Sequence, residues 1–159
     1  MNEFVCKVLY LNMLYKRYSD IVNKIGSFMS DSIRLTLTLP TDPKTLYNAW
    51  LNSETHSAFT KSKAVIQKMV GSSFTAYDGY ISGTNELLHM NKRIVQKWRT
   101  TDFNEENEDS NLEIHFEKVP KGTKITIEHS NLPDDTGKTY RKGWRDHYFK
   151  PMKEYFSGD

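Results

Sequence analysis

Five histidines, His56, His89, His115, His129 and His147, and one cysteine, Cys6, are the side chains best suited to metal or acid–base chemistry in this sequence. None stands at metal-ligand spacing from another histidine or cysteine, so neither a zinc site nor a cysteine-based cluster is expected. The eight glycines are isolated. They form no phosphate-cradling loop, no dinucleotide fingerprint and no nucleophile elbow. Two polar residues remain. His129 continues the apolar face of Ile125 and Ile127. Aimed inward, it would orient a ligand or move a proton; at a strand end on the sheet rim, the preferred reading, it would be solvated or hydrogen-bonded. Gln96 lies between Ile94 and Trp98 on one strand face. It is either a hydrogen-bonding point in a pocket or a buried amide satisfied by the backbone. An aromatic set, Trp50, Phe59, Tyr77, Trp98, Tyr140, Trp144 and Tyr148, supplies either core or the wall of a cavity for a flat or lipidic molecule.

These residues need elements to hold them. Ser32 to Leu39 alternates apolar and polar residues, which is a half-buried strand, and Pro40 ends it. Thr41 or Asp42 caps a helix with Pro43 in its first turn and Leu46, Tyr47, Trp50 and Leu51 on its apolar face. A second short helix over Ser53 to Phe59 is expected, capped by Ser53. Short apolar stretches at Ala64 to Ile66 and Ser73 to Tyr77 follow, then Asp78-Gly79 as a two-residue hairpin turn. Strands are expected over Tyr80 to Leu88, Arg93 to Thr100, Leu112 to Val119 and Thr123 to Asn131, with Asp102 to Asn111 a solvated acidic loop. After Pro133 the period becomes helical. Tyr140, Trp144, Tyr148, Met152 and Tyr155 share one side of a long terminal helix that Pro151 should bend. Consecutive strands with tight turns give an antiparallel meander. Only the terminal helix is long enough to cover its apolar face, and a cavity between the two is the physical basis for ligand binding.

The chain is 159 residues, 13% aromatic, with net charge +2. That length suits one domain, and the aromatics exclude disorder as a class. Residues 1–29 carry four basic and two acidic groups, whereas residues 30–159 carry 18 of each, so the body has no electrostatic footprint for nucleic acid. No apolar run reaches the length of a membrane span. A single cysteine fits a reducing cytoplasm. Of the first 29 residues 17 are apolar, against 42 of the remaining 130, so composition shifts sharply near Met29. Residues 1–29 read either as an amphipathic helical extension, Phe4 to Phe28, or as translated leader upstream of a start at Met29. Residues 30–159 form the domain.

Several segments carry a resemblance. They are Leu37-Thr38-Leu39-Pro40 with Leu46-Tyr47-Asn48-Ala49-Trp50, Ser57-Ala58-Phe59-Thr60, Asp78 to Gly83, Arg93 to Arg99, and Gly143 to Lys153. Taken in order they resemble the SRPBCC (START-like, Bet v-like) superfamily. Within it they look like the family named after the C-terminal domain of the activator of the heat-shock protein 90 ATPase. The resemblance spans roughly Ser32 to Phe156. It implies an α+β helix-grip fold: a curved antiparallel sheet of six or seven strands around a long C-terminal helix, with two short helices after the first strand. Fold does not fix function. The eukaryotic activators carry a further N-terminal domain, so chaperone activation is not carried over by default.

The expected function is a non-enzymatic module that binds a small hydrophobic or amphipathic molecule between sheet and helix. Its expected cavity lining is Trp50, Tyr77, Ile94, Gln96, Trp98, Ile127, His129, Tyr140, Trp144 and Tyr148. No catalytic residue, metal or cofactor is expected. The alternative is a protein-interaction module related to heat-shock protein 90 co-chaperones, using the outer sheet face or the acidic loop. A cyclase-like enzyme would need paired acid and base groups that the inward faces barely offer. A monomer or weak homodimer is expected.

Overall fold

The computed structural model describes residues 12–21 and 30–158. The chain divides into two units, Met1–Ser30 and the rest. In the first, residues 12–21 are helical with exposed side chains, Tyr15 and Tyr18 among them. The remainder of the expected N-terminal helix lies outside the described residues.

The second unit holds seven strands: β1 (Asp31–Leu39), β2 (Val65–Ile66), β3 (Ser73–Ala76), β4 (Ile81–His89), β5 (Arg93–Thr100), β6 (Ser110–Val119) and β7 (Gly122–Leu132). They form one curved antiparallel sheet in the order β1-β7-β6-β5-β4-β3-β2. The meander runs from β2 to β7, and β1 closes the far edge against β7. Two helices, α1 (Pro43–Trp50) and α2 (Ser53–Thr60), carry the chain from one edge to the other.

Alternation decides the faces. On β5, Ile94, Gln96, Trp98 and Thr100 are buried; on β6, Ser110, Leu112, Ile114 and Phe116 are. The helix caps follow their chemistry. Asp42 accepts the Thr45 N–H at α1, and the Thr45 hydroxyl and N–H hold its carboxyl below the usual range. At α2 the cap is Asn52 rather than Ser53. Ser53 instead donates to the Ile66 carbonyl and accepts the Ile66 N–H, at 3.1 and 2.8 Å, which pins the short edge strand β2.

The expected two-residue turn at Asp78-Gly79 is a four-residue connection, with Ala76 paired to Ile81. Tyr77 leaves the strand, and Tyr77, Asp78 and Gly79 all take positive φ, +51°, +54° and +90°. That is costly for a tyrosine. The Asp78 N–H donates to the Lys63 carbonyl, the Asp78 carboxylate accepts from Ser62 at 2.7 Å, and the turn is held.

The terminal helix is not uniform. α3 (Gly137–Gly143) passes through a wider π turn (Trp144–Phe149) into α4 (Lys150–Ser157). The cause is Pro151, which has no N–H and whose ring crowds the carbonyl of His147, four residues back. That carbonyl accepts the hydroxyl proton of Tyr77 instead. The wide turn has a second effect. Steps of four drift around a regular helix, but here Trp144, Tyr148 and Met152 stay buried on one side and Phe156 packs against the core. Tyr155, expected on that side, is exposed.

Candidate functional site

A groove of about 700 Å³ opens between the terminal helix and strands β4 and β5 with the turn that precedes β4. Trp98 and Thr100 form its floor on β5, with Ile81 from β4. Tyr77 and Tyr80 close one side from the positive-φ turn. Tyr140, Trp144 and Tyr148 close the other from the helix. Lys142, paired with Asp146, and His147 mark the rim. A smaller recess of about 270 Å³ shares Tyr77, Asp146 and His147 with it.

Of the expected lining, Tyr77, Trp98, Tyr140, Trp144 and Tyr148 meet at this groove. Trp50, Ile94, Gln96, Ile127 and His129 do not; they are sealed beneath it. The reason is packing. Trp50 inserts from α1 and stacks on Tyr148 and Trp144, with ring centroids 5.3 and 6.2 Å away. Those rings fill the space between helix and sheet on that side, and the groove opens toward β4, β5 and the turn that precedes β4. Sequence reasoning missed Tyr80, Ile81 and Thr100. Thr100 was within reach, because it continues the inward series 94, 96, 98. Nothing in the alternation signals Tyr80, which sits in the turn.

His129 is fully enclosed, not at the rim, because β7 runs on to Leu132. Its Nδ1 accepts the indole N–H of Trp144 at 3.1 Å. That fixes the tautomer: Nε2 carries the proton and donates to the Ser110 hydroxyl at 2.7 Å. Ser110 donates in turn to the Trp98 carbonyl, 2.7 Å away. Burial pushes the His129 pKa down to about 3. A second histidine, His56, was not among the expected site residues. Its Nδ1–H donates to the Trp50 carbonyl at 2.9 Å, and its Nε2 faces the Tyr148 hydroxyl at 3.4 Å. Burial lowers it to about 4, against the pull of that carbonyl. Both imidazoles are neutral, with both nitrogens engaged. Neither is free to take a proton from a molecule in the groove.

Gln96 is a buried amide satisfied by side chains rather than by the backbone. It donates to Asn85 at 2.7 Å and accepts from the Trp50 indole at 3.5 Å. The groove tyrosines are poor acids. Burial raises Tyr77 to about 12 and Tyr148 well above its usual value, and burial with a bond to Asp102 raises Tyr80 to about 12. On the outer face, Glu113, His115 and Glu128 lie close enough to share a cation. Arg93 and Arg34 already occupy those carboxylates, at 2.8 and 3.0 Å.

A curved antiparallel sheet gripping a C-terminal helix, with an aromatic groove at their junction, defines a helix-grip domain of the SRPBCC class. The chain belongs to the family described as Activator of Hsp90 ATPase homolog 1-like protein, whose model matches residues 40–157. It is 30% identical over 124 residues to the human Activator of 90 kDa heat shock protein ATPase homolog 1, covering 78% of this chain and 36% of that protein. To the mouse homolog 2 it is 28% identical over 122 residues, covering 77% and 37%. The chain thus spans about a third of the length of these relatives. Among solved structures, the Plasmodium falciparum protein PFC0360w, titled an HSP90 activator, superposes with a TM-score of 0.71 at 26% identity, covering 80% of this chain and 96% of that one. The Aha1 dimer from Colwellia psychrerythraea shares the fold, with a TM-score of 0.66 at 16% identity, covering 79% and 96%.

Proposed function

We propose that this chain is a non-catalytic binding module that holds one small, flat, mostly apolar molecule in the groove beside its terminal helix. The observation that carries this is the groove itself: about 700 Å³ walled by the rings of Tyr77, Trp98, Tyr140, Trp144 and Tyr148. Such volume and lining suit a small ligand. The absence of catalysis is supported by the two neutral, fully engaged histidines. Native mass spectrometry of the purified protein, followed by organic extraction, tests it. A reproducible apolar adduct that is lost in a folded Tyr140→Ala variant supports the reading. An empty protein that also fails to take up any aromatic probe overturns it.

A second reading is a co-chaperone-like interaction module acting on a heat-shock protein 90 ATPase. It is favoured by the likeness to a structure titled an HSP90 activator, which extends over 96% of that chain. The exposed side chains of Val65, Met69, Val70 and Met90 offer apolar surface for such a contact. Here the test is steady-state ATP hydrolysis by that chaperone with this chain at saturation. Stimulation supports the reading, and an unchanged rate removes it. The co-chaperone reading implies a cytoplasmic location.

A further inference from the structure

We propose that the indole N–H of Trp98 is the polar recognition point of the groove, and that the ligand is a planar aromatic molecule bearing a carbonyl oxygen at its edge. The proposal rests on the groove-binding reading and adds the chemical class of the occupant. It comes from accounting for every donor on the aromatic wall. Tyr77 donates to the His147 carbonyl and Tyr80 to the Asp102 carboxylate. Tyr148 faces His56, and Tyr140 shares one hydrogen bond with Thr100 at 2.9 Å. The Trp144 indole donates to His129, and the Trp50 indole beneath the wall points at Gln96. Among the described residues, Trp98 is the one tryptophan whose N–H meets no acceptor.

That N–H is not sealed away either. Among the described residues the only enclosed side-chain polar atom without a partner is Arg93 Nε. The Trp98 donor is therefore not fully enclosed, and because Trp98 lines the groove we infer that the donor points there. The residue is otherwise 4% exposed, and its ring is wedged in place. His129 lies 4.6 Å away, Tyr140 5.7 Å and Trp144 6.0 Å, centroid to centroid. A fixed donor in a mostly dry site, without a partner, is preorganised for an acceptor and wastes no ordering entropy on finding one. Flatness follows from the rings around it. The hydroxyl protons of Tyr77, Tyr80 and Tyr148 are committed, whereas the Thr100–Tyr140 pair shares one bond and keeps one rotatable proton, so Trp98 is the fixed donor of the wall and that pair an adjustable one.

The test uses the intact 15N-labelled chain and two rigid probes that differ by one oxygen, 9-fluorenone and fluorene. The three indole N–H signals report separately on Trp50, Trp98 and Trp144. Fluorenone is expected to bind about tenfold more tightly than fluorene, the size of one hydrogen bond in such a site. It should move the Trp98 indole proton downfield and slow its exchange with water, with smaller changes at Trp50 and Trp144. Trp98→Phe should remove the preference and leave fluorene affinity within twofold. Should that variant not fold, the indole signals of the unaltered protein decide. Equal binding of the two probes with a still Trp98 signal overturns this proposal and leaves groove binding intact. Failure of both probes to bind overturns the groove reading, and this one with it.

Discussion

A proton on Nδ1 of His129 would meet the indole N–H of Trp144 head on, so this imidazole stays neutral wherever the fold is intact. The consequence for stability has a definite sign. Burial lowers His129 to about 3 and His56 to about 4, whereas an unfolded histidine titrates near 6.5. Below that pH the unfolded chain binds protons that the native chain refuses. Stability should therefore fall as pH drops from 6.5 toward 4, by up to about 1.4 kcal/mol per pH unit for each histidine. Urea titrations at pH 7, 6 and 5 check this, and a flat profile would contradict the neutral, enclosed placement of both rings. Ser110→Ala makes a narrower test. It strands the Nε2 proton of His129 and should cost about 1–3 kcal/mol, read from the urea midpoint at pH 7. How much of this was legible depended on distance along the chain. Alternation along β7 turns His129 inward. The full burial of the ring comes from Leu132 and the terminal helix, which no local pattern reports. His56 stayed hidden for the same reason: the hydroxyl it faces lies 92 residues away.

Strands were read well from the sequence wherever one face is apolar and the other polar, as on β5 and β6. The pattern fails where the backbone leaves extended geometry. Tyr77 continues the strand-like residue types of β3, yet it is the first residue of a positive-φ turn, because its hydroxyl is wanted at the His147 carbonyl. The π turn was likewise invisible, since Pro151 announces a disturbance without saying whether the helix kinks or widens. Gly83 on β4 shows how tightly these elements approach. A Cβ there would lie 2.0 Å from the Lys97 carbonyl oxygen and 2.7 Å from the ring of Phe74. The first contact is backbone and cannot rotate away. Gly83→Ala should destabilise the domain by roughly 3 kcal/mol or prevent folding. A thermal melt within a degree or two of the parent would show that β4 and β5 are looser than this.

At the scale of the whole molecule, residues 30–159 balance 18 basic against 18 acidic groups, and the groove is walled by rings. Occupancy by a neutral aromatic probe should therefore change less than twofold between about 50 and 500 mM sodium chloride. A steep loss with salt would mean that the rim pair Lys142–Asp146, and not the aromatic wall, captures the ligand. The groove was only half legible beforehand because its position is a remainder: it is the space left after Trp50, Trp144 and Tyr148 have packed, and packing is a property of the complete chain. The bond from Tyr77 to the carbonyl that Pro151 cannot serve joins residues seventy positions apart. It makes the two substitutions interdependent. Tyr77→Phe should cost about 1 kcal/mol in the parent and much less once Pro151→Ala has restored a backbone donor, which a double-mutant cycle measures. In evolutionary terms the tyrosine is a debt created by the proline. A lineage can discard the hydroxyl cheaply only after it has given up the ring, so the order of the two changes is constrained although the two residues are far apart in the sequence.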